Sequence, residues 1–207
     1  MSLSDTYRPA TLGAMVGNPR PRAILNALCS KPVPSAWLLE GPSGIGKTTA
    51  ALCVAGALGS PLDVLQINGQ DMNSDKVREL ANTVRLAPWR AGGWRVVIID
   101  EADRMSEAAQ VLWLSLLENL GRCVVIFTSN EKSDFEPRFL SRLKVLHYTT
   151  QGMAPAGAAY LQSVAAREGF PLDERTATKL MRDAGNNLRA ALQALELESM
   201  LSATAAA

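Results

Sequence analysis

Residues 41–49 read GPSGIGKTT and match the phosphate-binding pattern G-x-x-x-x-G-K-[ST] at every fixed position. The glycines allow the backbone to turn several N–H groups toward one point, which creates a site for an anion. Lys47 adds a positive charge for the outer phosphates of a nucleotide, and Thr48 offers a hydroxyl to Mg²⁺. The residues expected to contact the nucleotide are Gly41, Pro42, Ser43, Gly44, Ile45, Gly46, Lys47, Thr48 and Thr49.

The segments on both sides of this loop support the same interpretation. Residues 36–40 (AWLLE) form a short apolar run that predicts a buried strand, and residues 48–59 predict an apolar helix. Phosphate binding requires a strand, a glycine-rich loop and a helix in this order, because the helix N-terminus then points at the anion. The alternative is a glycine-rich turn that matches the pattern by chance, and the flanking segments disfavour it.

Two acidic residues follow a second apolar strand. Residues 96–99 are four apolar residues, too few for a helix, and they predict a strand buried on both faces. Asp100 and Glu101 come directly after it, at the sheet edge where ligands bind in open α/β folds. We expect Asp100 to hold Mg²⁺ through water and Glu101 to orient or deprotonate the attacking water.

A third apolar run, residues 123–130 (CVVIFTSN), ends in polar residues at the same predicted edge. Asn130 is therefore a candidate to hydrogen-bond the γ-phosphate or the attacking water. The alternative role for Asn130 is an asparagine that only forms a turn.

Further segments complete an alternation of strands and helices. Residues 63–68 predict a strand, and either Asn73 or Ser74 is expected to cap the helix that follows. Residues 141–148 (SRLKVLHY) predict a short helix and then a final strand. Four or five strands that alternate with helices indicate an α/β fold of three layers with a parallel sheet.

Two helix boundaries and one loop are predicted from single residues. Gly121 is expected to end the helix that Ser106 caps, and Gly157 is expected to interrupt the helices of the C-terminal part. For the loop WRAGGW at residues 89–94 we favour tryptophans that pack inward, with a partner-facing loop as the alternative.

The strand signals end near residue 150, and the remaining sequence is helical in pattern. We assign residues 1–150 to an α/β domain, whose first 21 residues form an extended arm followed by a short helix at residues 22–30. Residues 151–207 are assigned to a small all-helical domain.

Composition excludes several classes of protein. The formal net charge of +1, from 21 basic and 20 acidic residues, argues neither for nor against a nucleic-acid partner, so any contact with DNA must be local. No run of 18 apolar residues and no secretory signal occurs, so we expect no membrane partner and a cytoplasmic protein, or a nuclear one in a eukaryote. Cys29, Cys53 and Cys123 are widely spaced in apolar stretches, which favours reduced core thiols over disulfides or a metal site.

The chain resembles AAA+ ATPases over residues 7–198, and among them the small subunits of sliding-clamp loaders of the replication factor C type. The resemblance implies a P-loop NTPase core with a three-layer parallel sheet, followed by a small helical lid. The stretches that carry the resemblance are TYRPATLGAMVGN (6–18), INGQDMNSDKVREL (67–80), DEAD (100–103), NEKSDFEPRFLSRL (130–143) and NLRAALQALE (187–196).

The resemblance also implies roles for individual residues. Arg142 would be the arginine finger that completes a neighbouring subunit's site, and Arg189 would reach the γ-phosphate from the lid. A salt-bridged or solvated arginine on a loop is the alternative for Arg142. Asn130 and Lys47 are expected to take part in catalysis. The residues that the family uses around the adenine correspond to Tyr7, Arg8, Val16 and Gly17.

Several features depart from the family pattern. Leu143 replaces a cysteine after the finger, and Leu114 and Ser115 stand where the small subunits commonly have two arginines. We therefore expect the route between DNA and the nucleotide site to be altered. Neither a collar domain after the lid nor a zinc module is found in the sequence, which predicts either a fragment or a reduced relative that assembles differently.

The resemblance implies an activity and partners. The cofactors would be ATP and Mg²⁺, and an oligomer of identical or different AAA+ subunits would couple ATP hydrolysis to loading a sliding clamp on DNA during replication. A nucleotide-gated recruiting module with weak hydrolysis, such as a helicase loader, is the second hypothesis. A monomeric, nearly inactive fragment whose site needs a neighbour's arginine is the third.

Overall fold

The structure, a computed structural model, describes residues 2–131 and 135–205. Residues 132–134, which belong to the family-like run 130–143, lie outside the described residues. Five parallel strands form one sheet in the order β2-β3-β4-β1-β5, which confirms the predicted parallel α/β sheet. The strands are β1 Ser35–Glu40, β2 Val64–Asn68, β3 Arg95–Asp100, β4 Cys123–Ser129 and β5 Lys144–His147.

The register of the sheet brings the functional segments to one edge. Glu40 at the end of β1 pairs with Ser129 at the end of β4, and Asn68 of β2 pairs with Asp100 of β3. Every residue of β4 is buried, as expected for a strand covered on both faces. The carboxyl ends of the strands therefore meet beside Gly41, where the phosphate-binding loop begins.

Nine α-helices lie within the described residues. Asn73 caps α4 by accepting the backbone N–H of Lys76, which decides between the two predicted caps, and Ser106 caps α5 by accepting the N–H of Ala109. The helices are α1 Leu3–Thr6, α2 Pro19–Ser30, α3 Lys47–Leu58, α4 Ser74–Arg85, α5 Glu107–Leu117, α6 Pro137–Leu140, α7 Met153–Arg167, α8 Glu174–Asp183 and α9 Leu188–Ala205.

The sheet separates two hydrophobic clusters, which produces the three predicted layers. On the face covered by α4, α5 and α6, the ring of Phe127 makes edge contacts with Trp113 and Phe139, with each pair of ring centroids 5.1 Å apart. The opposite face packs against α2 and α3. Because strands β3 and β4 contribute to both clusters, the centre of the sheet is held from both sides.

A third cluster lies among α7, α8 and α9 and includes Leu3 of the N-terminal arm. The predicted extended arm is thus partly wrong, because it contains the short helix α1, and its residues Leu12 and Met15 pack in the cluster covered by α2 and α3. The predicted domain boundary at residue 150 stays a prediction, although the last strand ends at His147 and only helices follow it among the described residues.

Three predicted helix positions were wrong. Helix α2 begins at Pro19 rather than at residue 22, because a proline in the first turn has no N–H that needs a partner there. Helix α5 ends at Leu117, before Gly121. The short helix before β5 is Pro137–Leu140, so it precedes Ser141 rather than beginning there.

Gly157 and Trp89 also differ from expectation. Gly157 lies inside α7, where a Cβ would collide with Met181 of α8, so the glycine allows two helices to pack closely. Trp89 is 76% exposed, whereas Trp94 packs against a hydrophobic cluster. Only one of the two tryptophans of this loop therefore packs inward.

Candidate nucleotide site

The phosphate-binding loop follows β1 and ends where α3 begins at Lys47. Gly41, Gly44 and Gly46 have φ values of +146°, +74° and +97°, a region that side chains with a Cβ rarely adopt. A Cβ on Gly41 would also collide with the backbone of Tyr148. The pattern of three glycines is thus required by the backbone of this loop, a type of backbone that can turn N–H groups toward an anion.

Lys47 is buried beneath the loop. Its Nζ donates to the carbonyl oxygens of Gly41 at 2.6 Å and Pro42 at 2.7 Å, and to Oδ1 of Asn130 at 3.2 Å. Burial lowers the pKa of Lys47 to about 8, although the negative charges of Asp103 and Asp100 act in the opposite direction. A buried ammonium group held by neutral oxygens is well suited to an anionic ligand.

Thr48 and Asp100 lie next to each other across the loop. The hydroxyl of Thr48 donates to Oδ1 of Asp100 at 2.7 Å, and the hydroxyl of Thr128 at the end of β4 donates to the same carboxylate oxygen. Magnesium prefers a small number of oxygen ligands from the protein and keeps several waters. The hydroxyl of Thr48 and the carboxylate of Asp100 therefore fit a Mg²⁺ site.

Glu101 adopts a left-handed backbone conformation, with φ of +53°. Its N–H donates to the hydroxyl of Thr128 at 3.2 Å, and its carboxylate pairs with Arg104 at 3.2 Å. A non-glycine residue in this conformation is strained and is found mainly where the surrounding structure enforces it. The turn after β3 thus directs Asp100 and Glu101 to different positions at the sheet edge.

Gly69 supports this turn and was not predicted to do so. It lies in the 3-10 turn Gly69–Asp71, and a Cβ at this position would collide with the carbonyl group of Glu101. Because only glycine permits this approach, Gly69 sets the backbone position of Glu101. The sequence signal was the glycine that follows a predicted strand directly, a common mark of close backbone approach.

The C-terminal helices reach the loop through α9. The Nδ2 of Asn187 donates to the carbonyl of Ser43 at 3.0 Å, while its Oδ1 accepts the N–H of Ala190 in the first turn of α9. The N–H of Arg189 lies 3.4 Å from the carbonyl of Gly44. Asn187 was missed in the sequence, where its only signal is an N-cap residue before an apolar helix.

Two cavities adjoin the loop. The smaller, of about 90 Å³, is polar and holds most of the predicted phosphate and metal residues. Asp100, Glu101, Asn130 and Arg189 line it together with the loop. The convergence of a lysine, an arginine and two carboxylates on so small a space fits the phosphates of a nucleotide with its metal ion.

The second cavity, of about 330 Å³, is more apolar and shares Gly44, Gly46, Thr49 and Arg189 with the first. Tyr7, Arg8 and Val16, which the resemblance places around the adenine, line this second cavity. Gly17 does not line this cavity. It lies against Met153 of α7, which a Cβ at this position would contact.

Arg142 lies outside both cavities. Its guanidinium group donates to Oε1 of Glu118 at 2.9 Å, at the end of α5, and its side chain is 36% exposed. Of the predicted catalytic residues, the fold brings Lys47, Glu101 and Asn130 together and leaves Arg142 apart.

Residues 37–150, more than half of the chain, match the family model described as "ATPase family associated with various cellular activities (AAA)". The chain belongs to the AAA family of ATPases. Membership of this family supports ATPase activity, and the geometry of the loop, Lys47 and the acidic pair agrees with it.

Relatives of this AAA chain include replication factor C subunits. The chain is 25% identical over 206 residues to a large subunit of Methanococcus maripaludis, covering 93% of this chain and 41% of the relative. It is 26% identical over 206 residues to a small subunit of Thermoplasma acidophilum, covering 93% of this chain and 62% of the relative. The chain therefore spans only part of the length of these relatives.

Among solved structures, the fold of this AAA chain is similar to the Thermotoga maritima RuvB Holliday junction branch migration motor. The TM-score is 0.76 at 18% identity, with 95% of this chain and 67% of the other covered. This likeness shows a shared fold.

Other predictions concern cysteines, metals and membranes. Cys29, Cys53 and Cys123 are free, as expected. Within residues 2–131 and 135–205, no group of three or more His, Cys, Asp or Glu side chains is placed to hold a metal ion. No helix in the described part of the chain is long and apolar enough to cross a membrane.

Proposed function

We propose that this AAA chain binds ATP with Mg²⁺ and hydrolyses ATP as a clamp-loader-type subunit, in an oligomer that acts on DNA and a sliding clamp during replication. Family membership supports the ATPase part, and similarity to replication factor C subunits supports the assignment to replication. The observation that carries the proposal is the convergence of Lys47, Asp100, Glu101, Asn130 and Arg189 on the 90 Å³ cavity.

Nucleotide binding follows from the two adjoining cavities. The loop N–H groups and Lys47 would hold the β- and γ-phosphates, and the larger cavity beside Tyr7 and Val16 would take the base and ribose. Thr48 and Asp100 would hold Mg²⁺, which neutralises charge on the phosphate oxygens when bound. Asn187 and Arg189 would bring the C-terminal helices onto the bound nucleotide.

Hydrolysis requires an attacking water on the far side of the γ-phosphate. Glu101, at the end of β3, would orient this water and accept its proton, and Asn130 would hold the water or a γ-phosphate oxygen. Lys47 would stabilise the charge that spreads over the phosphate oxygens in the transition state. In the structure Glu101 pairs with exposed Arg104, so it must turn from this weak surface pair toward the water.

Arg142 would complete the site of a neighbouring subunit. Its position outside both cavities of its own chain supports a role in trans, because the guanidinium lies against Glu118 and not near the loop. A guanidinium supplied by another molecule makes hydrolysis depend on assembly. The proposed oligomer is therefore part of the catalytic mechanism and not only a scaffold.

Turnover of three variants tests this function. We expect Lys47→Ala to abolish ATP binding, and Glu101→Gln to bind ATP without appreciable turnover. Arg142→Ala should bind ATP normally and lose about 10³-fold or more in turnover, the usual effect of removing an arginine finger. Equal turnover in the wild type and all three variants would contradict the proposed mechanism.

One observation favours a second function, a nucleotide-gated recruiting module with weak hydrolysis. Leu114 and exposed Ser115 of α5 stand where the small clamp-loader subunits commonly carry two arginines, so DNA would have less influence on the nucleotide site. Tight ATP binding with turnover that neither DNA nor a clamp stimulates would favour this second function. Stimulation by both would favour clamp loading.

A further inference from the structure

The way in which Arg142 is held suggests a role for a residue outside the nucleotide site. Arg142 lies between α6 and β5, and its N–H donates to the carbonyl of Phe139 at 3.1 Å. Phe139 is fully buried against Phe127. The backbone of Arg142 is therefore attached to the hydrophobic core, and only its side chain needs to be oriented.

Two acceptors orient the side chain. Nη2 of Arg142 donates to Oε1 of Glu118 at 2.9 Å, and Nη1 donates to the carbonyl of Arg138 at 3.3 Å. A guanidinium has five N–H donors in a rigid planar fork, so three N–H groups remain for another acceptor. The pair with Glu118 thus orients the guanidinium group of Arg142 and leaves other N–H donors of this group for a second acceptor.

The backbone of Glu118 is attached to the same hydrophobic core, whereas its side chain is 64% exposed. It follows the last residue of α5, and Trp113 of this helix packs on the same ring of Phe127 that contacts Phe139. The backbones at Glu118 and Arg142, which follow α5 and α6, are thus attached to one buried cluster. The core sets the relative position of the two backbones, and the hydrogen bond of 2.9 Å joins their partly exposed side chains.

We propose that Glu118 is the positioning residue for Arg142, which it holds in a ready orientation for the nucleotide site of a neighbouring subunit. This inference rests on the proposed function of Arg142 in trans. Ordering one long side chain at an interface typically weakens the interaction by about two- to tenfold. Glu118 would remove this cost before the subunits meet.

The test uses two variants that are inactive alone. A chain with Arg142→Ala keeps a complete loop but offers no finger, and a chain with Glu101→Gln offers a finger but cannot hydrolyse its own ATP. When the two are mixed, turnover arises only where the Glu101→Gln chain donates Arg142 to the Arg142→Ala chain. Glu118→Ala is then added to one chain or to the other.

We expect Glu118→Ala in the donor chain to lower kcat of the mixture by about three- to tenfold with KM for ATP unchanged, because the nucleotide contacts of the acceptor are intact. The same substitution in the acceptor chain should have no effect. Glu118→Gln in the donor should restore most of the turnover, because its amide oxygen can accept the same hydrogen bond. Glu107→Ala, an exposed glutamate at the other end of α5, is the matched control and should change nothing.

The other outcomes of this mixing experiment would each overturn the inference. An equal loss from Glu118→Ala in donor and acceptor would indicate a general effect on the fold and would overturn the inference, as would no loss in either chain. A mixture of the two parent variants that shows no turnover would instead overturn the trans role of Arg142, and with it this inference. The two failures are therefore distinguishable.

Discussion

At the scale of single residues, the site depends on backbone conformations that most side chains avoid. Glu101 has a left-handed conformation at the end of β3, and the N–H group of this residue is held by Thr128. Such strain costs about 1–3 kcal/mol and persists only where neighbouring contacts enforce it. Gly69 is one of these neighbours, since it leaves room for the Glu101 carbonyl.

Gly69→Ala tests whether this neighbour positions Glu101. The added methyl group would collide with the Glu101 carbonyl, so we expect turnover to fall at least tenfold, an effect of the size that follows from misplacing a catalytic group by about 1 Å. ATP affinity should change much less, because Gly69 does not line the phosphate cavity. Steady-state turnover and equilibrium ATP binding measure the two effects separately.

Gly56→Ala is the matched control for this substitution. Gly56 lies inside α3, and a Cβ there would meet no atom within 4 Å. We expect the control to raise the free energy of unfolding by about 0.5–1 kcal/mol, since alanine favours a helix more than glycine does. Equal losses of turnover in the two variants would rule out a specific role for Gly69.

At the scale of elements, the connection between α4 and β3 is held by one buried carboxylate. Asp63 accepts the N–H groups of Trp89 at 2.8 Å and Arg90 at 3.3 Å, and it lies 3.8 Å from the guanidinium of Arg95. Burial raises the pKa of Asp63, but the hydrogen bond from Ser60, those two N–H groups and the Arg95 charge together lower the pKa below its usual value. The buried carboxylate of Asp63 thus holds the backbone of the loop on which Trp89 is exposed.

We expect Asp63→Asn to destabilise the protein by about 3 kcal/mol at neutral pH, because Arg95 would remain buried without its charged partner. Since the folded state lowers the pKa of Asp63, its stabilisation is present above the unfolded value of 3.8 and disappears as the pH falls through the folded value. The difference between wild type and variant should therefore shrink below pH 3.8. Urea unfolding at several pH values measures it.

The matched control for this prediction is Asp75→Asn. Asp75 pairs with Arg78 on the surface of α4, and its side chain is 89% exposed. Exposed ion pairs contribute about 0–1 kcal/mol, so the control should unfold almost like the wild type. A wild-type unfolding curve for Asp63→Asn would show that the buried carboxylate does not hold this loop.

Elements with a local signal were predictable from the sequence, and contacts between distant segments were not. The apolar runs identified β3 and β4, and the side chains of Asn73 and Ser106 marked two helix starts. The contact of Asn187 with Ser43 joins residues 144 positions apart, and no periodicity reports such a pair. The position of Trp89 likewise depends on the hydrogen bond from its N–H to Asp63, which lies 26 residues earlier in the sequence.

In the candidate site, too, residues with a clear local signal were predictable and contacts between distant segments were not. The loop glycines and Asp100 were predictable, because each comes directly after an apolar strand and parallel strands end at one edge. Gly69, Thr128 and Asn187 carry weak local signals, but the partners that they contact are distant in sequence, so their supporting roles could not be predicted. The roles of Arg142 and Arg189 came from family resemblance alone.

At the scale of the whole molecule, the nucleotide site lies between the sheet and the C-terminal helices. The arm contributes Leu3 to the cluster of α7, α8 and α9, and Tyr7 donates a hydrogen bond of 2.6 Å to Glu168. A nucleotide beside Tyr7 would therefore contact the arm, the loop and α9 together. We expect ATP to tighten these parts against one another and to favour association between chains.

Association is measurable by sedimentation with and without ATP. A finger supplied in trans requires that ATP promote assembly, so the sedimentation coefficient should rise when ATP and Mg²⁺ are added. The Lys47→Ala variant, which we expect not to bind ATP, is the control and should sediment as it does without nucleotide. A wild-type chain that stays monomeric at every concentration with ATP would favour the isolated, nearly inactive form.

The central claim is that one chain holds only half of a catalytic site. Mixing Arg142→Ala chains with Glu101→Gln chains tests it most directly, because neither variant can hydrolyse ATP alone, while one interface in the mixture joins an intact loop to an intact finger. We predict that ATP turnover of the mixture exceeds the sum of the separate variants by about 10²-fold or more, which is less than the 10³-fold or greater contribution of an arginine finger because only some interfaces in the mixture are productive. Turnover no greater than that sum would contradict the claim.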